Sequence, residues 1–353
     1  MSWLRGALGL GSTPADVVHA ENKWRLLRYR PLPGVAQRRT PVLMVPSLIN
    51  RHYVLDLLPE RSFARWLLGQ GHALHVIDWG TPGDEDRLLG FDDYCDGYLG
   101  RALRKVARAA PDRRAHLFGY CLGGTLAAIH AAARPEHVAS LALIAAPFAF
   151  AHGGLLGEWT RSATFDVRAL VDGFGNVPWP LMQLAFHALK PTLGASKLLG
   201  LVSRLESKDA WRTLLALEAW GNDNVSFPGG CYAEYVERLY RQDAFVRGEM
   251  RLSGRPAAPA SIRCPLFVVS FAQDHIVPPA SAEAIAGITG SSDVRPLRLG
   301  GGHVGAVVSH RAERELWQPL SRWWAERDAP LTRRVVVTHR RAPRTGATAS
   351  RGA

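Results

Sequence analysis

Residues 119–124, Gly-Tyr-Cys-Leu-Gly-Gly, leave this chain few folds to choose from. They lie between an apolar run, 115–118, and a run of good helix formers, 125–133. A strand-to-helix turn with glycines on both sides of one reactive side chain is the pattern of a nucleophile elbow, here with a thiol in place of the usual serine. Glycine lets the backbone take a tight turn that β-carbons would obstruct. The reactive side chain then stands at a cleft mouth, and the N–H of Leu122 opens the next helix. An amide there can hold an oxyanion, and a helix N-terminus favours a thiolate. Cys121 is the candidate covalent nucleophile.

The surrounding pattern supplies the scaffold such a turn needs. Residues 41–46, 73–79, 115–121 and 138–146 read as buried strands. Between them, 62–69, 91–109 and 125–133 read as helices, the second with Tyr94, Tyr98, Ala102 and Val106 on one face. Apolar strands without strict alternation, separated by helices, predict a mostly parallel sheet covered on both faces. From 148 to about 261 the pattern is helical and broken by Pro and Gly, as at 174–180 and 227–230. Strands then return at 265–271 and 294–299, and 316–326 closes with a helix. The expected organisation is an N-terminal flank (1–39), an α/β core (40–147 and 262–328), a helical cap inserted into it (148–261) and a basic, disordered tail (329–353).

A cysteine nucleophile needs a base, and the base needs an orienting group. Asp274 follows the strand 265–271, and His303 follows the strand 294–299 behind Gly300, Gly301 and Gly302. This is the order nucleophile, acid, histidine of an α/β-hydrolase, with all three at the carboxyl ends of parallel strands, where such sheets bind ligands. His275 is a competing base and candidate substrate contact, and Asp78, at another strand end, is a weaker acid because it precedes the nucleophile. The second oxyanion amide is expected from the loop after the first core strand, near Ile49, with Asn50 beside it as a substrate-contacting group. Cys95, Cys231 and Cys264 read as incidental thiols.

Composition narrows the function classes. The net charge of +12 suggests nucleic acid, but residues 331–353 hold six arginines and no acid, so half the excess sits in the tail. A nucleic-acid partner is not expected. Four scattered cysteines form neither a disulfide framework nor a metal signature, which fits a reducing, cytoplasmic setting. The longest mainly apolar run, 138–151, is too short to span a bilayer.

With these residues in place, the chain resembles the catalytic subunit of polyhydroxyalkanoate synthases, most closely the short, two-component type. The resemblance rests on the box at 119–124, PSLINRHYVLDL (46–57), HALHVIDWGTPG (72–83), FDDYCDGYL (91–99), residues 165–191, DHIVPP (274–279) and GGHVG (301–305). It runs from about residue 20 to 327; the basic tail and the histidines flanking Gly71, His72 and His75, lie outside it, the latter read as surface variation. The resemblance implies the α/β-hydrolase fold and a Cys121–His303–Asp274 triad. It implies a (3R)-hydroxyacyl-coenzyme A substrate, with coenzyme A as leaving group and no separate cofactor. It also implies a growing polyester chain, a granule-surface location, a helical partner subunit and a homo- or hetero-oligomer. Two roles stay open for Asp274: orienting His303, and activating the incoming hydroxyl. A cysteine thioesterase or ester hydrolase, and a non-catalytic binding protein, are the competing readings; the intact triad speaks against the second.

Overall fold

The computed structural model describes residues 2–189 and 208–328. An eight-stranded sheet in the order β1-β2-β4-β3-β5-β6-β9-β10 forms its centre. The strands are β1 (Ala15–Glu21), β2 (Trp24–Tyr29), β3 (Val42–Val45), β4 (Leu74–Asp78), β5 (Ala115–Tyr120), β6 (Val138–Ile144), β9 (Leu266–Phe271) and β10 (Val294–Leu299). From β4 to β10 every neighbour is parallel, whereas β1 and β2 join as an antiparallel hairpin against β4.

Alternate residues of the core strands feed two separate apolar layers, which explains the uninterrupted hydrophobic runs in the sequence. Leu43, Val45, Leu117, Leu143 and Val268 face one layer with the elbow helix, Leu122–Ala133. Val42, Met44, Phe118, Ala142 and Val269 face the other, with the helices Phe63–Gly69 and Gln318–Ala325. Cys121 packs against both layers, at the edge where the sheet ends.

Three expectations need correction. The flank 1–39, read as lying outside the α/β core, contributes a hairpin that extends the sheet by two strands. Its outer strand is almost entirely solvent-facing, with Val17 and Val18 exposed, so no buried face marks it in the sequence. The histidines read as surface variation are both buried, and His72 Nε2 lies 2.9 Å from Ser321 Oγ. The insertion between β6 and β9 is helical for most of its described length, from Gly154–Arg161 to Gly229–Glu234. It ends, however, in a short hairpin, β7 (Arg251–Leu252) and β8 (Arg255–Pro256). The helical reading of 91–109 holds, with a wide π-type stretch at Asp92–Leu99 ahead of Gly100–Ala107. The basic tail lies outside the described residues.

Asp56 anchors the loop that follows β3. Its buried carboxylate accepts from Thr13 Oγ1 at 2.6 Å, the Thr13 N–H at 3.0 Å and Ser62 Oγ at 2.5 Å. Asp56→Ala strands all three donors and is expected to lower stability by about 3 kcal/mol. Urea unfolding with the same m-value would measure this, and a loss below about 1 kcal/mol would contradict the anchoring role.

Candidate active site

The elbow forms because three glycines are obligatory at it. A β-carbon on Gly119 would lie 2.3 Å from Gly124 Cα, one on Gly123 2.2 Å from the Val45 carbonyl, and one on Gly124 2.5 Å from Ala146 Cβ. Strand, helix and the loop after β3 therefore meet backbone to backbone. Between them Cys121 is forced to φ 54° and ψ −133°, a strained left-handed conformation for a non-glycine residue. Its N–H donates to the Ile144 carbonyl at 2.9 Å, which fixes the turn to the neighbouring strand.

Asp274 and His303 arrive from the next two strand ends. His303 Nδ1 and Asp274 Oδ2 are 2.7 Å apart, and both side chains are buried. The other carboxylate oxygen, Oδ1, accepts from the Ile276 and Val277 N–H groups, each at 2.9 Å. The two loops are clasped together by Gln273, whose N–H donates to the Gly301 carbonyl at 3.0 Å and whose Oε1 accepts from the Gly301 N–H. The Tyr120 hydroxyl donates to the His303 carbonyl at 3.1 Å. The imidazole also stands close enough to the Cys121 side chain for the sulfur to act on its charge.

These contacts set the imidazole's protonation. Burial alone opposes a charged ring, but the Asp274 carboxylate and the Cys121 sulfur outweigh it and raise the His303 pKa to about 10. The proton is retained as pH climbs past 6.5 and leaves only near 10. By contrast, burial pushes the Cys264 thiol up to about 11 and those of Cys95 and Cys231 well above their ordinary value, so these three stay neutral thiols.

The remaining predicted residues divide. Leu122 begins the elbow helix, where an N–H has no intrahelical carbonyl to pair with. Ile49 is buried in the same layer as Leu122, and its carbonyl accepts from the Val225 N–H at 3.1 Å. Asn50 is turned toward the insertion, where its Nδ2 donates to Asn224 Oδ1 at 2.5 Å. His275 is exposed on the turn beyond Asp274, and it is His303 that bonds the carboxylate. Asp78 is bound to Arg25 at 2.5 Å and lies 3.6 Å from His52, outside the triad.

Aromatic residues that the sequence did not single out cluster near the site, two of them, Tyr235 and Tyr240, close enough to feel the Cys121 sulfur. Phe150, Phe227, Tyr235 and Tyr240 form one cluster, with Phe150–Tyr240 centroids 4.7 Å apart and Tyr235–Tyr240 5.1 Å apart. Burial, and then neighbours that include the Cys121 sulfur, hold both tyrosine hydroxyls in the protonated form. Only the general aromatic richness of the insertion hinted at them.

The sheet order, the elbow and the Asp–His pair after the last two strands define an α/β-hydrolase-fold protein, and the profile of the alpha/beta hydrolase fold matches residues 40–305. Solved structures agree at the level of fold. A monoacylglycerol lipase from Paleococcus ferrophilus superposes with a TM-score of 0.52 at 14% identity, covering 83% of this chain and 96% of its own. A proline iminopeptidase from Mycobacterium smegmatis gives 0.50 at 14%, covering 89% and 99%.

Within that fold the chain belongs to the poly(3-hydroxyalkanoate) polymerase PhaC family. The profile of the poly-beta-hydroxybutyrate polymerase (PhaC) N-terminus matches residues 7–67. The poly(3-hydroxyalkanoate) polymerase subunit PhaC of Allochromatium vinosum is 32% identical over 91% of this chain and 91% of that relative. The Haloferax mediterranei protein of the same name is 33% identical over 91% of this chain, which spans 65% of the relative's length.

Proposed function

We propose that this chain polymerises (3R)-hydroxyacyl-coenzyme A thioesters into polyester through an acyl group carried on Cys121. The observation that carries the reading is the buried, hydrogen-bonded His303–Asp274 pair set beside the partly exposed Cys121 of the elbow, in a chain related over nine-tenths of its length to poly(3-hydroxyalkanoate) polymerase subunits. In the resting pair His303 already holds the proton given up by the thiol, so Cys121 Sγ attacks the thioester carbonyl as a thiolate. The Leu122 N–H and an amide of the loop at Ile49 hold the oxyanion, while coenzyme A leaves with the proton from His303. The hydroxyl of a monomer or chain end then gives its proton to His303 and attacks the Cys121 thioester. An ester bond forms and the cysteine is released.

A thiol suits both halves of this cycle. Exchange of one thioester for another is nearly balanced, so loading is reversible; transfer to an alcohol is downhill. Asp274 acts by orienting His303, because its two oxygens already accept from the imidazole and two backbone N–H groups. Three of the carboxylate's roughly four lone-pair sites are thereby taken, and its burial keeps it from open solvent, which favours the orienting role. The aromatic cluster keeps water from the acyl thioester. Coenzyme A enters as part of the substrate and leaves as product, with no further cofactor required.

The location and partners follow from the same reading. No helix among the described residues is long and apolar enough to cross a membrane. The enzyme would act at the surface of its own polyester granule, with a helical partner subunit. The deciding experiment incubates the full chain with 3-hydroxybutyryl-coenzyme A, with and without a candidate partner subunit. Coenzyme A release with insoluble polyester is expected. Stoichiometric free hydroxy acid without polymer would instead make the protein a thioesterase of this fold.

A further inference from the structure

A second binding site lies at the opposite edge of the sheet from Cys121. The amino ends of β3 and β4, with β2 and the helix Gly100–Ala107, enclose a groove of about 370 Å3. Its floor is apolar, from Leu26, Pro41 and Val106, and its rim carries Arg28, Arg38, Arg39, Lys105 and Arg108. No carboxylate lines it among the described residues. Asp16, opposite Arg28 in the hairpin, is held by Arg30, and Asp328 is bonded to the N–H groups of Arg39 and Thr40 and the Thr40 hydroxyl. Arg38 donates to the Gln70 carbonyl, whereas Arg28, Lys105 and Arg108 form no ion pair among the described residues.

Asp16 acts on Arg28 only from the exposed hairpin; cations of one sign brought together with so few counter-charges repel one another, and an anion bound among them relieves this. A second observation points the same way. His75 lines the groove, is buried to more than nine-tenths, and its Nδ1 completes no hydrogen bond of ordinary geometry, although the Val42 backbone also acts on the ring. Burial and the nearby Arg28 push its pKa down to about 4, so at neutral pH it is an uncharged ring able to donate one N–H. Buried polar atoms without partners are rare and call for an occupant.

We propose that this groove binds a nucleotide-type phosphorylated small molecule, with the phosphates on the arginine–lysine rim and the base or another flat, apolar portion on the floor. The volume falls within the range of small-molecule sites. It lies at the other edge of the sheet from the sulfur, so a ligand here is bound apart from the catalytic cleft.

The test uses the full chain and ATP as probe, by isothermal titration at low salt. Saturable binding is expected, weakened at least about tenfold in the Arg28→Glu/Lys105→Glu variant, whose altered residues are exposed and remote from the triad. The variant's basal polymerase activity is expected to match the unaltered chain's, which confirms that it folds. Inorganic tripolyphosphate is expected to bind more weakly than ATP, for lack of contact with the floor. ATP binding that the double variant leaves intact would overturn the assignment, as would tripolyphosphate binding as tightly as ATP or no saturable binding at all.

Discussion

Cys121→Ala is expected to lower polymer formation from 3-hydroxybutyryl-coenzyme A by a factor on the order of 10^4 or more, while the fold survives. Alanine keeps the β-carbon that the elbow already accommodates and removes only the sulfur, so circular dichroism and the unfolding midpoint should change little. Cys121→Ser has a different signature. An oxygen at this position can still be acylated by a thioester, but the resulting oxoester has lost the downhill step to the next hydroxyl. One equivalent of coenzyme A should appear in a burst, followed by a stalled acyl-enzyme visible by intact-protein mass spectrometry. Sustained polymer synthesis by Cys121→Ala would remove the covalent mechanism altogether.

The second large effect belongs to Asp274→Asn, expected to reduce kcat by roughly 10^3- to 10^4-fold with little change in KM. The side chain is nearly isosteric, so the loss would arise from hydrogen-bond polarity. The Ile276 and Val277 N–H groups demand an acceptor on one side of the group. An asparagine must then present its NH2 to His303 Nδ1, which leaves the proton on Nε2, the nitrogen that should accept from Cys121. The carboxylate's attraction vanishes as well. In the unaltered enzyme the imidazole pKa of about 10 keeps the ring charged as pH rises from 6.5 to about 10; in the variant that window should close from the top. Histidine 15N NMR across pH 6 to 10.5 reads the change directly. A His303 titration unmoved by the substitution would contradict the pairing.

The parts of this site that were legible in the sequence share one property: each is written in consecutive residues. The glycines of 119–124 are dictated by backbone contacts with Val45, Ala146 and one another, so their spacing carries the geometry. Asp274 and His303 each follow directly on a strand, and the strand's end fixes the edge on which they stand. What was hidden depends on partners distant in the chain. Nothing near Asn50 reveals that its amide is committed to Asn224. Tyr235 and Tyr240 reach the sulfur only through the fold of the insertion. The hairpin β1–β2 escaped notice because an edge strand with an exposed face has no hydrophobic period to betray it.

The loop beyond β3 has a further meaning for how the proposed polymerase would guard its acyl intermediate. The Ile49 carbonyl, the Asn50 amide, the Arg51 carbonyl and the Tyr53 hydroxyl each hold a different residue of the insertion: Val225, Asn224, Trp220 and Asp223. The backbone that would cradle the oxyanion is thus the same backbone on which the roof rests. Lifting the roof to admit a monomer or advance the polymer necessarily slackens that cradle. Whenever bulk water can reach the acyl group, the machinery that would help water attack it is partly dismantled.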